Sequence, residues 1–328
     1  MGCRRRRVDT EMNTLDLLGF GSETRLRAAR RVAVCAGHRY RAAVDVDGLV
    51  ETVHAACPVV LLYEWAHGGP RALDVLDAIA ELEGGPHVVL LADPSPPIEF
   101  QDLLDRPWFE VLLATRSPWF MDELGATLAK LAGGALFGLQ RCLPADVKIH
   151  QQTISTSAEK ADVLHQIDLF MDTLGVRGRV LSRLLTIADE LFTNAVYDAP
   201  VGPNGPSYRN WSRTRRVDLA PDERPTIRFG SDGRVFGISA TDPFGSLGAD
   251  ELRRYLAKGL RRGADQIDQG AGGAGLGLFF LYDAATSFCV NREAGRRTEI
   301  IISLDIRGSY RDVLRAHKSY AVFDRGGP

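Results

Sequence analysis

Five short apolar runs alternate with amphipathic segments along the first 133 residues, and this alternation restricts the fold more than any other feature. The runs are "TLDLLGF", "YRAAV", "PVVLLYEW", "HVVLLA" and "EVLLA". Apolar residues at helical spacing separate them, although the "VAVCA" end of the first amphipathic segment fits a strand equally well. Continuous apolar strands are typical of a parallel sheet buried on both faces. The pattern predicts an α/β doubly wound domain over residues 13–133.

Composition excludes several classes of protein. Hydrophobic residues make up 45% and charged residues 25% of the 328 residues, which is normal for a globular chain. The net charge of -2 gives no global field for nucleic acid, so we expect no nucleic-acid partner. Five scattered cysteines indicate a reducing compartment, and no run has the length of a membrane span. We therefore expect a cytoplasmic protein without a membrane partner.

The second half of the chain has a different order of predicted helices and strands. Glycine and proline collect at 134–149, which predicts a linker. The order that follows is strand, helix, helix, hairpin, helix, glycine loop, helix and hairpin, interrupted by an aperiodic loop at 199–225. This order predicts an α+β sandwich, with helices on one face of a mixed, mostly antiparallel sheet. The predicted organisation is a basic tail (1–12), the doubly wound domain (13–133), the linker (134–149), the α+β domain (150–306) and a C-terminal extension (307–328).

The layout of residues 13–133 resembles a response-regulator receiver domain, but the receiver chemistry is missing. A receiver uses acidic residues after its first strand, a phospho-accepting aspartate after its third, a hydroxyl residue after its fourth and a lysine after its fifth. The residues found at those places are Gly19, Phe20 and Gly21, then Tyr63 followed by Glu64, then Ala92, then Ser117. The resemblance therefore implies a degenerate pseudo-receiver used for docking or for forming a homodimer.

Three motifs in the second half carry chemistry. In "LTIADELFTNAVYDAP" (185–200), Glu190 and Asn194 stand one helical turn apart on the same face. Asp242 ends a predicted strand in "ATDPFGSL", where a sheet would deliver it to a cleft. In "GGAGLGL" (272–278) a glycine loop meets a helix N-terminus, where free N–H groups and the helix dipole favour phosphate oxygens.

Together these motifs resemble the Bergerat-fold nucleotide-binding domain of the GHKL superfamily. That group includes histidine-kinase catalytic domains, gyrase-type ATPases and anti-sigma-factor serine kinases. The stretch "GLGLFFLYDAATSFCVNREAGRRTEIIISL" is especially similar to the anti-sigma-factor branch. The resemblance implies ATP and Mg²⁺ as cofactors. It assigns Glu190 as the catalytic base, Asn194 as the Mg²⁺ ligand and Asp242 as the acceptor for the adenine 6-amino group. It also places Thr298 beneath the adenine, Gly245 in the glycine motif after Asp242, and a phosphate-binding lid at Gly273, Gly275, Leu276 and Gly277.

One motif departs from the family pattern. The usual D-x-G-x-G becomes Asp242-Pro243-Phe244-Gly245-Ser246, which displaces both expected glycines. Phe244 could crowd the adenine or stack beside it.

Three functions follow from the resemblance. The first is a signalling regulator that phosphorylates a serine on, or sequesters, an anti-anti-sigma-like or sigma-like partner. The alternatives are a catalytically weak, nucleotide-dependent protein-binding module, and a histidine-kinase catalytic domain acting in trans. Retention of Glu190 favours the first, because a module that only binds nucleotide has no need of a base.

Overall fold

The computed structural model describes residues 13–93, 100–202, 205–262, 276–308 and 318–326, so the predicted basic tail lies outside the described residues. The chain divides into two compact units. Unit 1 runs to Leu136 and includes Ser319–Ala321, and unit 2 runs from Phe137 to Lys318 and resumes at Val322. Among the helices in the described ranges, none combines the length and the apolar character that crossing a bilayer requires.

Unit 1 contains a parallel sheet in the order β2-β1-β3-β4-β5. Its strands are β1 (Asp16–Phe20), β2 (Arg39–Ala43), β3 (Val60–Glu64), β4 (His87–Ala92) and β5 (Val111–Ala114). All five predicted strands are present. Their order is one of the two common orders of doubly wound sheets. The central strands are buried, as their continuous apolar sequences require.

The helices of unit 1 follow the predicted alternation. They are α1 (Glu23–Cys35), α2 (Val46–Ala56), α3 (Trp65–Gly68), α4 (Ala72–Ala80), α5 (Phe100–Leu104) and α6 (Phe120–Leu131). The ambiguous "VAVCA" segment is the end of α1, because Leu26, Ala29 and Ala33 are buried at helical spacing. α1 packs against α6, and α2 packs against α4.

Ion pairs occupy the carboxyl end of the parallel sheet in unit 1. Glu64 accepts a hydrogen bond from the backbone N–H of Ser22 at 2.5 Å. The Arg25 guanidinium lies 2.6 Å from Asp93 and 3.9 Å from Glu64. Arg116 also binds Asp93, at 2.9 Å. The carboxylate of Glu64, at the end of β3, and that of Asp93, just after β4, therefore meet arginine side chains, and the sequence patterns did not predict this cluster.

Unit 2 contains an antiparallel sheet in the order β11-β12-β10-β9-β6. Its strands are β6 (His150–Thr153), β9 (Thr226–Ser231), β10 (Val235–Asp242), β11 (Ser287–Glu293) and β12 (Arg297–Asp305), and two-residue strands β7 (Val201–Gly202) and β8 (Gly205–Pro206) pair separately. Asp232-Gly233 forms the predicted hairpin turn, with Gly233 at φ +81°. The Asp232 side chain accepts hydrogen bonds from the N–H groups of Arg234 and Val235 and fixes this turn.

The described part of unit 2 contains four α-helices. They are α7 (Lys160–Thr173), α8 (Gly178–Thr193), α9 (Ala249–Arg262) and α10 (Leu276–Ala284). α8 packs against α7, α10 and β10, using a buried stripe that includes Leu184, Ile187 and Leu191. α9 packs against α10 closely enough that a Cβ on Gly259 would meet the ring of Phe279. These contacts place one helix layer over the face of β10 that carries Asp242.

The opposite face of the unit 2 sheet is covered by residues within 134–149, the stretch predicted as a linker. Leu139 is fully buried, and a Cβ on Gly237 of β10 would lie 3.0 Å from its side chain. The backbone N–H of Gly138 donates a 2.8 Å hydrogen bond to the buried carboxylate of Glu299. Side chains alternate along a strand, so Gly237 and Glu299 face away from Asp242. This stretch therefore completes the core of unit 2.

The final strand, β13 (Ser319–Arg325), contributes residues to both units. In unit 1, Tyr320 pairs antiparallel with Leu112 of β5. In unit 2, the residues from Val322 onward lie beside β11. The strand falls in the range predicted as a C-terminal extension, and its first five residues are buried.

Candidate functional site

The helix that carries Glu190 ends in a wide turn. After Thr193, residues Asn194–Asp198 form a π-helical turn, closed by a 2.8 Å hydrogen bond from the N–H of Ala199 to the carbonyl of Asn194. Single π-turns inside helices are frequent at functional sites. Here the turn begins at the residue that the sequence assigned to metal binding.

A pocket that is partly open to solvent lies beside this turn in unit 2. Its polar lining residues are Asn194, Asp198, Arg209, Asp242, Ser246, Tyr255 and Thr298, and its apolar ones include Leu191, Ala195, Ala240, Leu247, Leu278 and Ile300. Three residues that the sequence predicted as one site, Asn194, Asp242 and Thr298, therefore line one pocket, although they come from separate elements.

Asn194 brings an unsatisfied group to the pocket. Its carboxamide nitrogen is buried and has no hydrogen-bond partner in the described part of the chain. A buried amide without a partner costs stability, and such groups in native proteins call for a ligand or a water. Rotation of the side chain amide by half a turn would present its oxygen at the same place. The amide is therefore available to a ligand or to a cation that the ligand carries.

Asp242 is a buried carboxylate at the end of β10, directly opposite Thr298 of β12. Burial raises the pKa of its side chain to about 6, while hydrogen bonds from the N–H groups of Phe244 and Gly245, together with the neighbouring Thr298, act in the opposite direction. The bonds from Phe244 and Gly245, at 2.9 and 3.3 Å, both end on Oδ1. A buried acceptor held in one orientation is suited to recognise a donor on a ligand.

Glu190 lies against the first turn of α10. A Cβ on Gly277 would lie 1.7 Å from Oε1 of Glu190, so only glycine fits there without a shift of the carboxylate. Burial raises the pKa of Glu190, and the nearby carboxylates of Asp189 and Asp198 raise it further. A carboxylate whose pKa is raised towards neutrality is a better proton acceptor than an ordinary surface glutamate.

Gly245 shapes the turn after Asp242. Its φ is +60°, and a Cβ would lie 2.2 Å from the carbonyl oxygen of Glu293 in the turn between β11 and β12. Its own carbonyl accepts a hydrogen bond from Arg292 at 2.9 Å. The residues that line the pocket include neither Gly245 nor Phe244. Gly245 therefore positions the turn, and Phe244 is not among the described residues that line the pocket.

The predicted glycine lid is only partly described. Gly273 and Gly275 lie outside the described residues, whereas Leu276 and Gly277 begin α10. Within the described ranges, no group of three or more His, Cys, Asp or Glu side chains is placed to hold a metal ion. Asn194 is thus the one protein ligand that the sequence resemblance offers for Mg²⁺, and phosphate oxygens and water would have to supply the rest.

Residues 207–225, which we call the strap, are the part of the site that sequence reasoning missed. They lack regular secondary structure but are fixed at several points. The hydroxyl of Tyr197 donates to the carbonyls of Arg213 and Arg215, at 3.2 and 2.9 Å. The Arg213 guanidinium binds both carboxylate oxygens of Asp198, at 2.8 and 3.1 Å. These hydrogen bonds from Tyr197 and Arg213, which we call the latch, hold the strap against the π-helical turn.

The strap is also anchored at its other end. Val217 is buried and exchanges two hydrogen bonds of 2.9 Å with Ser157, through the backbone N–H and the side chain of that serine. Leu219, also buried, donates to the carbonyl of Ser155 at 2.8 Å. Arg209, which precedes these contacts in the strap, lines the pocket. The density of aromatic and arginine residues in "SYRNWSRTRR" was the available signal that this loop is ordered.

Comparison with known proteins adds little to this description. No protein-family profile matches the chain, and no curated protein matches it. A solved structure that resembles part of it is the NMR structure of the pseudo-receiver domain of the CikA protein, with a TM-score of 0.27 and 16% sequence identity. The match covers 35% of this chain and 97% of that chain. The site in unit 2 is therefore interpreted from its own residues.

Proposed function

We propose that unit 2 is an ATP-binding domain of the Bergerat type and that the protein is a serine-directed protein kinase that regulates a partner protein. The single observation that carries the proposal is that Asn194, Asp242 and Thr298 line one pocket. Glu190 lies against the start of α10, immediately after the glycine-rich sequence. Described residues of all three motifs therefore lie near one another, which supports a nucleotide site.

The pocket suits adenine at one end and phosphate at the other. The Asp242 carboxylate would accept the 6-amino hydrogen of adenine, and Thr298 and Ile300 would lie beside the ring. Asn194 and the first N–H groups of α10 would face the phosphates. Magnesium, when bound, would neutralise phosphate charge. The unpartnered amide of Asn194 supports this assignment, because a ligand would satisfy it.

Glu190, which lies against Gly277 at the start of α10, would act as the base of a phosphoryl transfer. The hydroxyl oxygen of a partner serine would form a bond to the γ-phosphorus of ATP while the bond to the β,γ-bridging oxygen breaks, leaving ADP. The hydroxyl proton would pass to the Glu190 carboxylate. The raised pKa of Glu190 favours that transfer near neutral pH, and positioning and charge neutralisation would supply most of the acceleration.

Calorimetric titration with Mg-ATP tests the binding site. We expect saturable binding by the wild-type protein and a loss of about tenfold or more in affinity for Asn194→Ala, because the amide is the protein ligand assigned to the cation. Asn210→Ala, at an exposed asparagine of the strap, is the matched control and should bind normally. Removal of Mg²⁺ with a chelator should weaken the wild type and leave Asn194→Ala little changed. A wild-type protein that binds no nucleotide would refute the proposal.

Glu190→Gln is expected to keep Mg-ATP affinity while phosphate transfer falls by about 10²- to 10⁴-fold, the usual contribution of a general base. The measurement is label transfer from γ-labelled ATP to peptides that contain serine or histidine. A second variant, Asp189→Asn, tests the role of Glu190 through the pH dependence of the rate. It removes a negative charge that raises the pKa of Glu190, so the acid limb of the rate profile should move to lower pH. Label found on histidine, with full activity of Glu190→Gln, would indicate histidine-kinase chemistry instead.

A nucleotide-dependent protein-binding module is the second candidate, and the turn after Asp242 favours it. The glycine motif is displaced, and Gly245 is packed against the turn between β11 and β12 instead of lining the pocket. Binding of ATP without label transfer to any peptide, together with unchanged behaviour of Glu190→Gln, would support this candidate.

A further inference from the structure

Arg209 of the strap is the one basic residue among the described residues that line the pocket. Among the residues described around it, Asp198 and Asp242 are acidic, and Arg209 alone is basic. The guanidinium is partly buried, with 28% of its side chain exposed. A phosphorylated ligand entering beside two carboxylates needs a compensating positive charge. Arginine is the residue best suited to supply it, because its planar fork can bind two phosphate oxygens at once.

The contacts of Arg209 differ from those of the other strap arginines. Arg213 and Arg216 make close ion pairs with Asp198 and Asp218, each with a nearest distance of 2.8 Å. Arg209 lies 3.6 Å from Glu251 of α9 and donates one hydrogen bond, at 3.2 Å, to the carbonyl of Asp198. A guanidinium has five N–H donors, and these two contacts engage it loosely. Such an ion pair is worth little and is easily exchanged.

We propose that Arg209 binds the phosphate group of the nucleotide, exchanging its loose pair with Glu251 for the ligand. This inference rests on the proposed nucleotide site and adds a residue that none of the three sequence motifs contains. The strap holds Arg209 in place through its latch to the π-helical turn and its anchors at Ser155 and Ser157. Arg209 therefore discriminates phosphorylated nucleotides from the unphosphorylated nucleoside.

Two substitutions separate ligand binding from a purely structural role. Arg209→Gln removes the charge, whereas Glu251→Gln breaks the same ion pair and leaves Arg209 intact. Glutamine at 251 can still accept the 2.8 Å hydrogen bond that the Tyr255 hydroxyl donates there. If Arg209 only ties the strap to α9, both variants should behave alike. If it binds phosphate, only Arg209→Gln should weaken the ligand, and Glu251→Gln should bind as well as the wild type or better.

The experiment is calorimetric titration of the full chain with Mg-ATP, Mg-ADP and adenosine. We expect Arg209→Gln to lose about 10- to 100-fold in affinity for Mg-ATP and Mg-ADP, and to bind adenosine as the wild type does. Arg216→Gln, at an exposed strap arginine paired with Asp218, is the charge-matched control and should bind normally. Thermal unfolding of each variant checks that the strap variants are folded.

The outcomes distinguish this inference from the proposed function. Equal losses for Mg-ATP and adenosine, equal losses in Arg209→Gln and Glu251→Gln, or no loss in Arg209→Gln would each overturn the role of Arg209. The nucleotide site itself would survive those results. A wild-type protein that binds neither Mg-ATP nor adenosine would instead overturn the proposed function, and the role of Arg209 with it.

Discussion

Asp242→Asn is expected to abolish measurable Mg-ATP binding and, at the same time, to stabilise the unliganded protein at neutral pH. Binding should fail because asparagine must keep its oxygen towards the N–H groups of Phe244 and Gly245. Its NH₂ group would then face the adenine amino group, setting donor against donor. A mismatch of this kind in a buried site costs about 100-fold or more in affinity.

The gain in stability follows from the pKa of Asp242. The folded state raises it from 3.8 to about 6, so the fold favours the neutral carboxyl. The stabilisation that the neutral Asp242 carboxyl gives the folded state is therefore fully present below a pH of about 4. It is lost as the pH rises through 6. Above pH 7 the ionised carboxylate costs at most about 3 kcal/mol, which the neutral asparagine avoids.

Urea unfolding followed by circular dichroism between pH 4 and 8 measures this effect. The free energies of unfolding of Asp242→Asn and the wild type should agree near pH 4, separate as the pH rises from 4 to 6, and differ by a nearly constant amount above that. Asp305→Asn is the control of opposite sign. Burial raises the pKa of Asp305, but hydrogen bonds from Arg307 outweigh that effect and leave it lowered, so this variant should be destabilised at neutral pH. Parallel pH profiles for wild type and Asp242→Asn would contradict the assignment.

Gly245→Ala is expected to destabilise unit 2 by about 3 kcal/mol or more. Two costs combine. A left-handed φ of +60° costs about 1 kcal/mol for an L-residue. The new Cβ would also lie 2.2 Å from the carbonyl oxygen of Glu293 and within 2.8 Å of the N–H nitrogens of Arg296 and Arg297. Backbone atoms cannot rotate away as a side chain can, so the turn after Asp242 would have to move.

Gly295→Ala separates these two costs. Gly295 also has a left-handed φ, of +68°, but a Cβ there would meet no atom within 4 Å. Its substitution should cost only the conformational part, about 1 kcal/mol. Urea unfolding of both variants gives the difference, and Mg-ATP titration shows whether a displaced turn also takes Asp242 out of position. Equal destabilisation of the two variants would show that the turn accommodates the methyl group.

The parts of the site that could be predicted from the sequence are those fixed by local periodicity. Asn194 comes directly after the end of the predicted helix α8, which carries Glu190, and lines the pocket, and Asp242 reaches the pocket because it ends the predicted strand β10. Pairing across the sheet then places Thr298 opposite Asp242. The five strands of unit 1 were predictable for the same reason, since each is a separate apolar run.

The parts that could not be predicted depend on contacts between distant, aperiodic segments. Arg209 lies in a loop whose conformation is set by hydrogen bonds with Tyr197, Asp198 and Ser157. No sequence pattern within the loop predicts these hydrogen-bond partners. Leu139 shows the same limit: it lies in a glycine- and proline-containing stretch that reads as a linker, yet it fills space over Gly237. Glycine residues in a sequence indicate where the chain can turn. Whether such a segment is buried depends on the sheet against which it packs.

The π-helical turn at Asn194–Asp198 determines the directions in which its side chains point, towards the strap or towards the pocket. A π-turn is equivalent to one residue inserted into an α-helix, and each residue of an α-helix advances the chain by about 100°. Across this turn, Tyr197 and Asp198 bind the strap, while Asn194 and Asp198 line the pocket. In a chain shortened by one residue here, the helix would regain regular pitch, and the strap would lose its latch even though every side chain that lines the pocket from the sheet remained unchanged.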